Sequence, residues 1–164
     1  MSVGDRIEKT ITLRAPLTRV WRAISDAKEF GAWFGFSFDG PFVAGGHVVG
    51  KIRPTVADPE IAKLQAPHEG KPFEITIERI EPPTHFSFRW HPFAIDPRED
   101  YSNEPTTLVT FELTEVDGGT RLVITESGFD RIPLERRLNA FRANEGGWEH
   151  QTRLIEKYLE AHAS

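Results

Sequence analysis

The stretch that most constrains the fold is Pro133 to His162, which reads as one long amphipathic helix. Positions three and four residues apart share one face of a helix. The residues of this face are Leu138, Phe141, Glu145, Trp148, Thr152, Ile155 and Leu159. A helix of this length would extend roughly 45 Å at about 1.5 Å per residue, so it needs an apolar partner surface of similar extent.

Two features of this helix are irregular. Its inward face carries the carboxylate of Glu145, and Gly146-Gly147 lies mid-helix, where each Gly costs about 1 kcal/mol relative to Ala. We therefore expect the turn around Arg142, Glu145 and Trp148 to border open space. The turns around Ile155 and Leu159 are expected to be ordinary core.

The partner surface is predicted to be a sheet, because the middle of the chain is a series of strands. Alternating apolar and polar positions predict strands at 6–14, 45–53, 73–80, 85–91, 107–115 and 120–127. Pro82-Pro83 forces a turn between two of them, and 117–119 (Asp-Gly-Gly) is a hairpin signal. Phe86, Phe88 and Trp90 share the inward face of one strand.

Two short helices are predicted after the first strand. One begins at Ala15-Pro16, and the second follows Asp26, which forms a capping-box pattern with Glu29. Phe30, Trp33 and Phe34 form the apolar stripe of the second helix, and Gly35 can end it. Two long polar segments, 54–71 and 92–105, are predicted to be loops of the kind that often act as lids.

The element order predicts an α+β fold in a single domain, 1–164. One helix cannot cover a sheet of five or six strands unless the sheet curls around it. We therefore expect a curved antiparallel sheet wrapped around the long C-terminal helix, with the two short helices closing one end.

Composition excludes several classes of function. The chain has no Cys, a net charge of −5 and no concentration of Lys and Arg, so nucleic acid is not an expected partner. No apolar run approaches the roughly 20 residues of a membrane span, and the N-terminus lacks a secretion signal, which favours the cytoplasm. The six His are scattered, so neither a metal nor a cofactor is expected. Twelve Phe and four Trp indicate a bulky core or an apolar pocket.

Several segments in this order resemble the START-like, SRPBCC superfamily. They are APLTRVWRAISD after the first strand, Trp33-Phe34, TESGF at 125–129 and GGW at 146–148. The chain is similar in particular to the C-terminal part of the activator of the heat-shock chaperone ATPase. The resemblance covers nearly the whole chain. It implies the helix-grip fold, a deep apolar cavity between sheet and helix, and either a hydrophobic ligand or a chaperone partner in a stress response.

The candidate ligand-binding residues follow from these faces. They are Trp33, Phe34, Phe36, Phe88, Trp90, His91, Glu126, Phe141, Arg142, Glu145 and Trp148. Glu145 is predicted to be a polar anchor; the alternatives are that it pairs with Arg142 or that the helix exposes this turn to solvent. Glu126 shares strand parity with the inward face and is interpreted as a rim carboxylate. A further hypothesis is that Glu126 and Glu145 face one cavity and share a proton or a cation such as Arg142.

Three functions follow, in decreasing order of support. The first is binding of a small hydrophobic or aromatic ligand without a cofactor. The second is a protein-interaction module that docks on a chaperone or another protein. The third is an enzyme of cyclase or hydrolase type, for which the sequence shows no paired catalytic groups, so no catalytic residue is named. The chain is expected to be a monomer or a homodimer.

Overall fold

A computed structural model describes residues 6–92 and 103–162, so most of the predicted loop at 92–105 lies outside the described residues. One antiparallel sheet holds seven strands in the order β1-β7-β6-β5-β4-β3-β2. The strands are β1 (Arg6–Leu13), β2 (Phe36–Phe38), β3 (His47–Ile52), β4 (Pro72–Glu81), β5 (His85–Trp90), β6 (Thr107–Val116) and β7 (Gly119–Ser127).

The helices pack on one face of this curved sheet. They are α1 (Leu17–Ser25), α2 (Ala27–Phe34), α3 (Pro59–Gln65) and α4 (Leu134–Ala161). Strands β2 to β7 follow one another across the sheet, and β1 pairs with β7 along its whole length. The long helix α4 lies against the inward face. The α+β helix-grip fold expected from the sequence is therefore confirmed.

An aromatic cluster fills the space between the sheet and the short helices. The ring of Phe30, on α2, lies 4.9 Å from the ring of Phe34 and 5.0 Å from that of Trp33. It also packs against Phe38, Phe42, Phe86, Phe88 and Phe111. The indole N–H of Trp33 donates to the carbonyl oxygen of Ala23 at 2.9 Å. Aromatic residues bury large apolar areas, so this cluster is a main source of stability.

Both ends of α2 follow the predicted signals. The Asp26 side chain accepts hydrogen bonds from the backbone N–H groups of Lys28 and Glu29, as an N-cap should. Gly35 ends the helix with φ of 105°, in the left-handed region that favours Gly. A Cβ at Gly35 would also come within 2.4 Å of the Gln65 side chain, so any other residue here would displace Gln65 from its hydrogen bonds to Phe34 and Thr55.

Two elements differ from the sequence prediction. The short strand β2 directly follows Gly35, and α3 lies inside the segment predicted to be the loop 54–71. Helix α3 has no buried residue, so it lacks the apolar periodicity by which helices are recognised. Asp58 caps its N-terminus and Pro59 occupies its first turn, and these two residues were the available signal.

The inward face of α4 differs by one position from the predicted face. Its buried residues are Ala140, Trp148, Leu154, Ile155, Tyr158 and Leu159. Ile155 and Leu159 are core, as predicted, whereas Leu138 is 41% exposed. Trp148, Ile155 and Leu159 belong to both faces, but the observed face is rotated so that it includes Asn144 and Gln151 and leaves Glu145 outside.

Candidate functional site

Glu126 is the polar centre of the interface between the sheet and α4. It lies near the end of β7 and is fully buried. The antiparallel register places it opposite Val109 of β6, and Trp90 lies opposite Thr107 one strand further on. Residues from β5, β6 and α4 therefore converge on this one carboxylate.

Both oxygens of Glu126 accept hydrogen bonds from side chains of this interface. The indole N–H groups of Trp90 and Trp148 donate at 2.8 Å to Oε2 and Oε1 respectively. The Thr107 hydroxyl donates to Oε2 at 2.5 Å, and the Asn144 amide contacts both oxygens at 2.9 and 3.0 Å. A buried carboxylate is costly unless hydrogen bonds replace its water, and here they do so.

These donors also fix the role of the carboxylate. An indole N–H can only donate, so each Trp side chain uses one oxygen of Glu126 as its acceptor. Each of the four donors named here is neutral. Glu126 therefore joins β5, β6, β7 and α4 through hydrogen bonds.

Two adjacent cavities lie beside this network. The first, here called the α3 cavity, is about 250 Å³ and mostly apolar, and α3, α4 and strands β2 to β4 enclose it. The second, here called the Trp cavity, is about 150 Å³ and lies between Trp90 and the turn of α4 that contains Asn144 and Trp148. Phe34, Gly147 and Gln151 line both cavities.

Gly147 leaves open space at the junction of the two cavities. A Cβ built at Gly147 meets nothing within 4 Å, and the same is true of Gly146. Only Gly147 lines the cavities, whereas Gly146 is exposed. Part of the turn predicted to border open space therefore does so, although Trp148 within it is buried.

Two side-chain amides hold the end of α2 beside the cavities. The carbonyl oxygen of Phe34 accepts from Nε2 of Gln65 at 3.2 Å and from Nε2 of Gln151 at 3.0 Å. The amide oxygen of Gln65, Oε1, accepts from the backbone N–H of Thr55 at 2.7 Å. Oε1 of Gln151 is buried and has no hydrogen-bond partner within the described residues. This oxygen lies behind the wall that Gln151 contributes to both cavities.

The predicted site residues fall into three groups. Phe34, Phe36, Trp90 and Trp148 line the two cavities. Trp33, Phe88 and Glu126 are buried behind that wall. His91, Phe141, Arg142 and Glu145 line neither cavity. The His91 ring donates through Nε2 to the carbonyl oxygen of Glu104 at 3.0 Å, and Phe141 packs on Phe129.

Two predicted orientations are wrong. Glu145 is not an inward anchor: Glu145 and Arg142 are exposed on α4, which is the alternative in which the helix exposes this turn. The inward position of the turn belongs to Asn144, which donates to Glu126. Glu126 is fully buried, so it is not a rim carboxylate. The hypothesis that Glu126 and Glu145 share a proton or a cation is therefore also wrong, since Glu126 of β7 is buried beneath α4 and Glu145 is exposed on the outer side of α4.

Sequence reasoning missed the contribution of α3 and of two α4 side chains. Ile61, Leu64, Gln65 and His68 line the α3 cavity from the segment predicted to be a loop. Asn144 and Gln151 lie at positions i−4 and i+3 from Trp148, so the helical period, counted from that Trp, would have found them.

A larger cavity lies elsewhere in the described residues. It is about 930 Å³ and lies where α1, α2 and β2 meet, outside the interface between α4 and the sheet. Its lining includes the charged residues Asp26, Lys28, Asp39 and Arg53. We place the candidate site at the two smaller cavities, because apolar walls with few polar groups are typical of small-molecule sites.

Comparison with known proteins agrees with this architecture. Residues 14–160 match the family described as Activator of Hsp90 ATPase homolog 1-like protein. The chain belongs to this family. The resemblance to START-like, SRPBCC proteins is thereby confirmed. No curated protein matched the chain in a similarity search.

Solved structures share the fold at low sequence identity. A protein from Arthrobacter aurescens is 18% identical with a TM-score of 0.71, over 96% of this chain and 87% of that one. MLL2253 from Mesorhizobium loti is 20% identical with a TM-score of 0.69, over 95% and 97% of the two chains. DynU16, a protein in the dynemicin biosynthetic locus, is 21% identical with a TM-score of 0.68. The alignment covers 98% of this chain but only 49% of DynU16, so the chain spans about half of that protein.

No helix within the described residues is long and apolar enough to cross a membrane.

Proposed function

We propose that the protein binds a small hydrophobic or aromatic ligand in the α3 cavity and the adjoining Trp cavity. The observation that carries the proposal is the open junction at Gly147, where both cavities meet beneath α3. The walls combine aromatic rings with a few polar groups, which is typical of ligand sites. Membership of this family supports the proposal, because the resemblance to SRPBCC proteins implies an apolar cavity between sheet and helix.

The cavities suit a ligand of modest size. The α3 cavity, at about 250 Å³, lies just below the usual range for drug-sized ligands, roughly 300–1,000 Å³. The rings of Phe34 and Phe36 stack at 4.9 Å and form one wall, which favours an aromatic or flat apolar group.

A pair of glycine substitutions tests the site. Gly147→Leu would fill the junction, whereas Gly146→Leu adds the same side chain to the exposed side of the same turn. With N-phenyl-1-naphthylamine as a neutral fluorescent probe, we expect wild type and Gly146→Leu to bind alike. The dissociation constant of Gly147→Leu should rise by about tenfold or more, because its side chain occupies the probe's volume.

Thermal unfolding serves as the control for this pair. Both substitutions replace Gly by a good helix former, so both are expected to stabilise α4 by up to about 1 kcal/mol. Loss of probe binding in a well-folded Gly147→Leu protein would then report on the cavity. Equal affinity in the two variants, or no binding to wild type, would contradict the proposal.

A second candidate is docking on a chaperone of the Hsp90 class, and the family description is what favours it. This role would include the stress response expected from the resemblance. Co-purification with an Hsp90-type chaperone, together with a change in that chaperone's ATPase rate, would support it. The Gly147→Leu variant would keep this activity if docking uses a surface away from the cavities.

A further inference from the structure

The mouth of the α3 cavity carries basic and imidazole groups from two sides. His68, in the 3-10 turn that follows α3, and His150, on α4, both line the cavity. Nζ of Lys71, just before β4, lies 2.8 Å from Nδ1 of His68. The mouth is therefore a place where hydrogen-bond donors and a cation meet the opening of an apolar space.

The hydrogen bond between Lys71 and His68 fixes the direction of donation. An ammonium group can only donate, so Nδ1 of His68 accepts and the neutral ring carries its proton on Nε2. This Nε2–H remains a donor, as do the further N–H groups of Lys71. The pair thus presents donors and one positive charge at the mouth, although the whole chain has a net charge of −5.

The acidic side chains of the same segment are paired with other lysines. Asp58 pairs with Lys157 of α4, and Glu60 pairs with Lys63 at 3.4 Å. Neither Glu69 nor Lys71 lines the cavity itself, but Lys71 contacts the lining residue His68 through its hydrogen bond, whereas no contact joins Glu69 to a lining side chain within the described residues. Among the ion pairs of the described residues, none neutralises Lys71.

Inside this mouth the walls are apolar. The side chains that enclose the space are Phe34, Phe36, Ile52, Ile61, Leu64 and Phe73. A ligand that satisfies both regions needs an apolar body for the interior and an anionic head for the mouth. We infer that the ligand is an amphipathic carboxylic acid whose carboxylate contacts Lys71 and His68. This inference rests on the proposed function and specifies the chemical class of its ligand.

A matched pair of probes separates the head group from the body. 6-Phenylhexanoic acid and 6-phenylhexanamide share the same apolar part, and only the acid is charged at pH 7.5. We expect wild type to bind the acid about tenfold more tightly, a preference that falls at high salt because a partly exposed charge pair is screened. Calorimetric titration and quenching of Trp fluorescence both measure the two dissociation constants.

Two lysine variants show which positive charge causes the preference for the acid over the amide. Lys71→Gln should remove the preference for the acid and leave binding of the amide unchanged. Lys63→Gln, which removes the same charge from the exposed side of α3, should keep the preference. His68→Gln should reduce the preference and, unlike Lys71→Gln, leave much of its salt dependence.

Each outcome decides one of the two proposals. If wild type binds the acid and the amide equally, or if Lys71→Gln keeps the preference, the carboxylate inference fails and ligand binding stands. If neither probe nor N-phenyl-1-naphthylamine binds wild type, the proposed function itself fails. If only 6-phenylhexyl phosphate shows a preference that depends on Lys71, the head group is a phosphate and the assignment of a carboxylate is overturned.

Discussion

Glu126 is the residue on which the interior of this molecule depends most. Two indole N–H groups, one hydroxyl and one amide converge on its two oxygens from three other elements. A buried polar network of this kind stabilises the fold only while every member is satisfied. Removing one acceptor oxygen would leave buried donors without partners.

Glu126→Gln is expected to lower the free energy of unfolding by about 2–3 kcal/mol. The amide nitrogen of Gln would face donors from Trp90 or Trp148, so at least one indole N–H would lose its acceptor, and a buried unsatisfied donor costs about 1–3 kcal/mol. Urea denaturation followed by fluorescence measures the change. Glu112→Gln, on the exposed side of β6, should change it by less than about 0.5 kcal/mol. Similar values for the two variants would contradict the central role of Glu126.

The sequence predicted part of this centre. Strand parity placed Glu126 on the inward face, which is correct. Its burial could not be read, because its donors Trp90 and Asn144 are distant in sequence and meet it only through the strand register. The misplacement of Glu145 has a simpler cause. The predicted and the observed face of α4 both contain Trp148 and Ile155, but one contains Glu145 and the other Asn144. The apolar pattern alone did not distinguish these two faces.

Helix α3 is held by polar tethers in place of a buried face. Asp58 caps its N-terminus and pairs with Lys157 of α4, and Gln65 at its other end bonds to the Phe34 carbonyl and the Thr55 N–H. Elements with few buried apolar contacts open at low free energy. We therefore expect α3, which covers one cavity, to open more readily than the sheet.

Asp58→Asn tests the tether to α4. Asn remains a good N-cap, so this change removes mainly the charge interaction with Lys157. Amide hydrogen exchange in 59–65 should become faster at pH 7, while the midpoint of global unfolding stays nearly unchanged. Glu60→Gln, which removes an exposed carboxylate from the same helix, provides the control. Exchange at the wild-type rate in Asp58→Asn would show that the tether is unimportant.

The same tether gives a pH dependence with a defined sign. The hydrogen bond from Lys157 lowers the pKa of Asp58 below its ordinary value of 3.8. A carboxyl with a lowered folded-state pKa contributes stability above its unfolded pKa and loses it as the pH falls through the folded value. The difference in exchange between wild type and Asp58→Asn should therefore persist down to about pH 3.8 and disappear below it.

The whole molecule is closed where the end of α4 meets α1 and α2. Nη1 of Arg19 lies 2.9 Å from Oε1 of Glu29, and Nε of Arg19 donates to the carbonyl oxygen of His162 at 2.8 Å. The Tyr158 hydroxyl donates to Oε1 of Glu29 at 2.9 Å. This polar junction fixes the last turn of the long helix on the short helices, opposite the glycine pair.

Tyr158 makes this closure sensitive to alkali. Burial and, secondarily, the hydrogen bond to Glu29 raise the pKa of Tyr158 above its ordinary value of 10.0. A raised folded-state pKa contributes stability that is fully present below the unfolded pKa and is lost as the pH rises through the folded value. Tyr158→Phe should be less stable than wild type by about 1 kcal/mol at pH 8. That difference should shrink above pH 10. Urea denaturation measures it, and Tyr101→Phe is the comparison, because this variant also loses one phenol.

At this scale the sequence was most informative. Six strands with alternating faces, two short helices and one long amphipathic helix were enough to predict a sheet curled around α4. The prediction missed β2 because three residues carry too little pattern, and it missed α3 because no apolar stripe marks an unburied helix. Both missed elements line the α3 cavity. The site was therefore predicted less completely than the fold, because two of the elements that form it were not predicted.

The aromatic cluster around Phe30 has a consequence for how such a sequence can diverge. Each ring touches several others, so the energetic effect of changing one depends on which neighbours are present, and such effects do not add. Volume-conserving changes are tolerated best in a packed core. Acceptable replacements at Phe30, Phe86 and Phe111 should therefore arise together, as compensating sets. Covariation among these positions, more than identity at any one of them, is the trace that this interior should leave in related sequences.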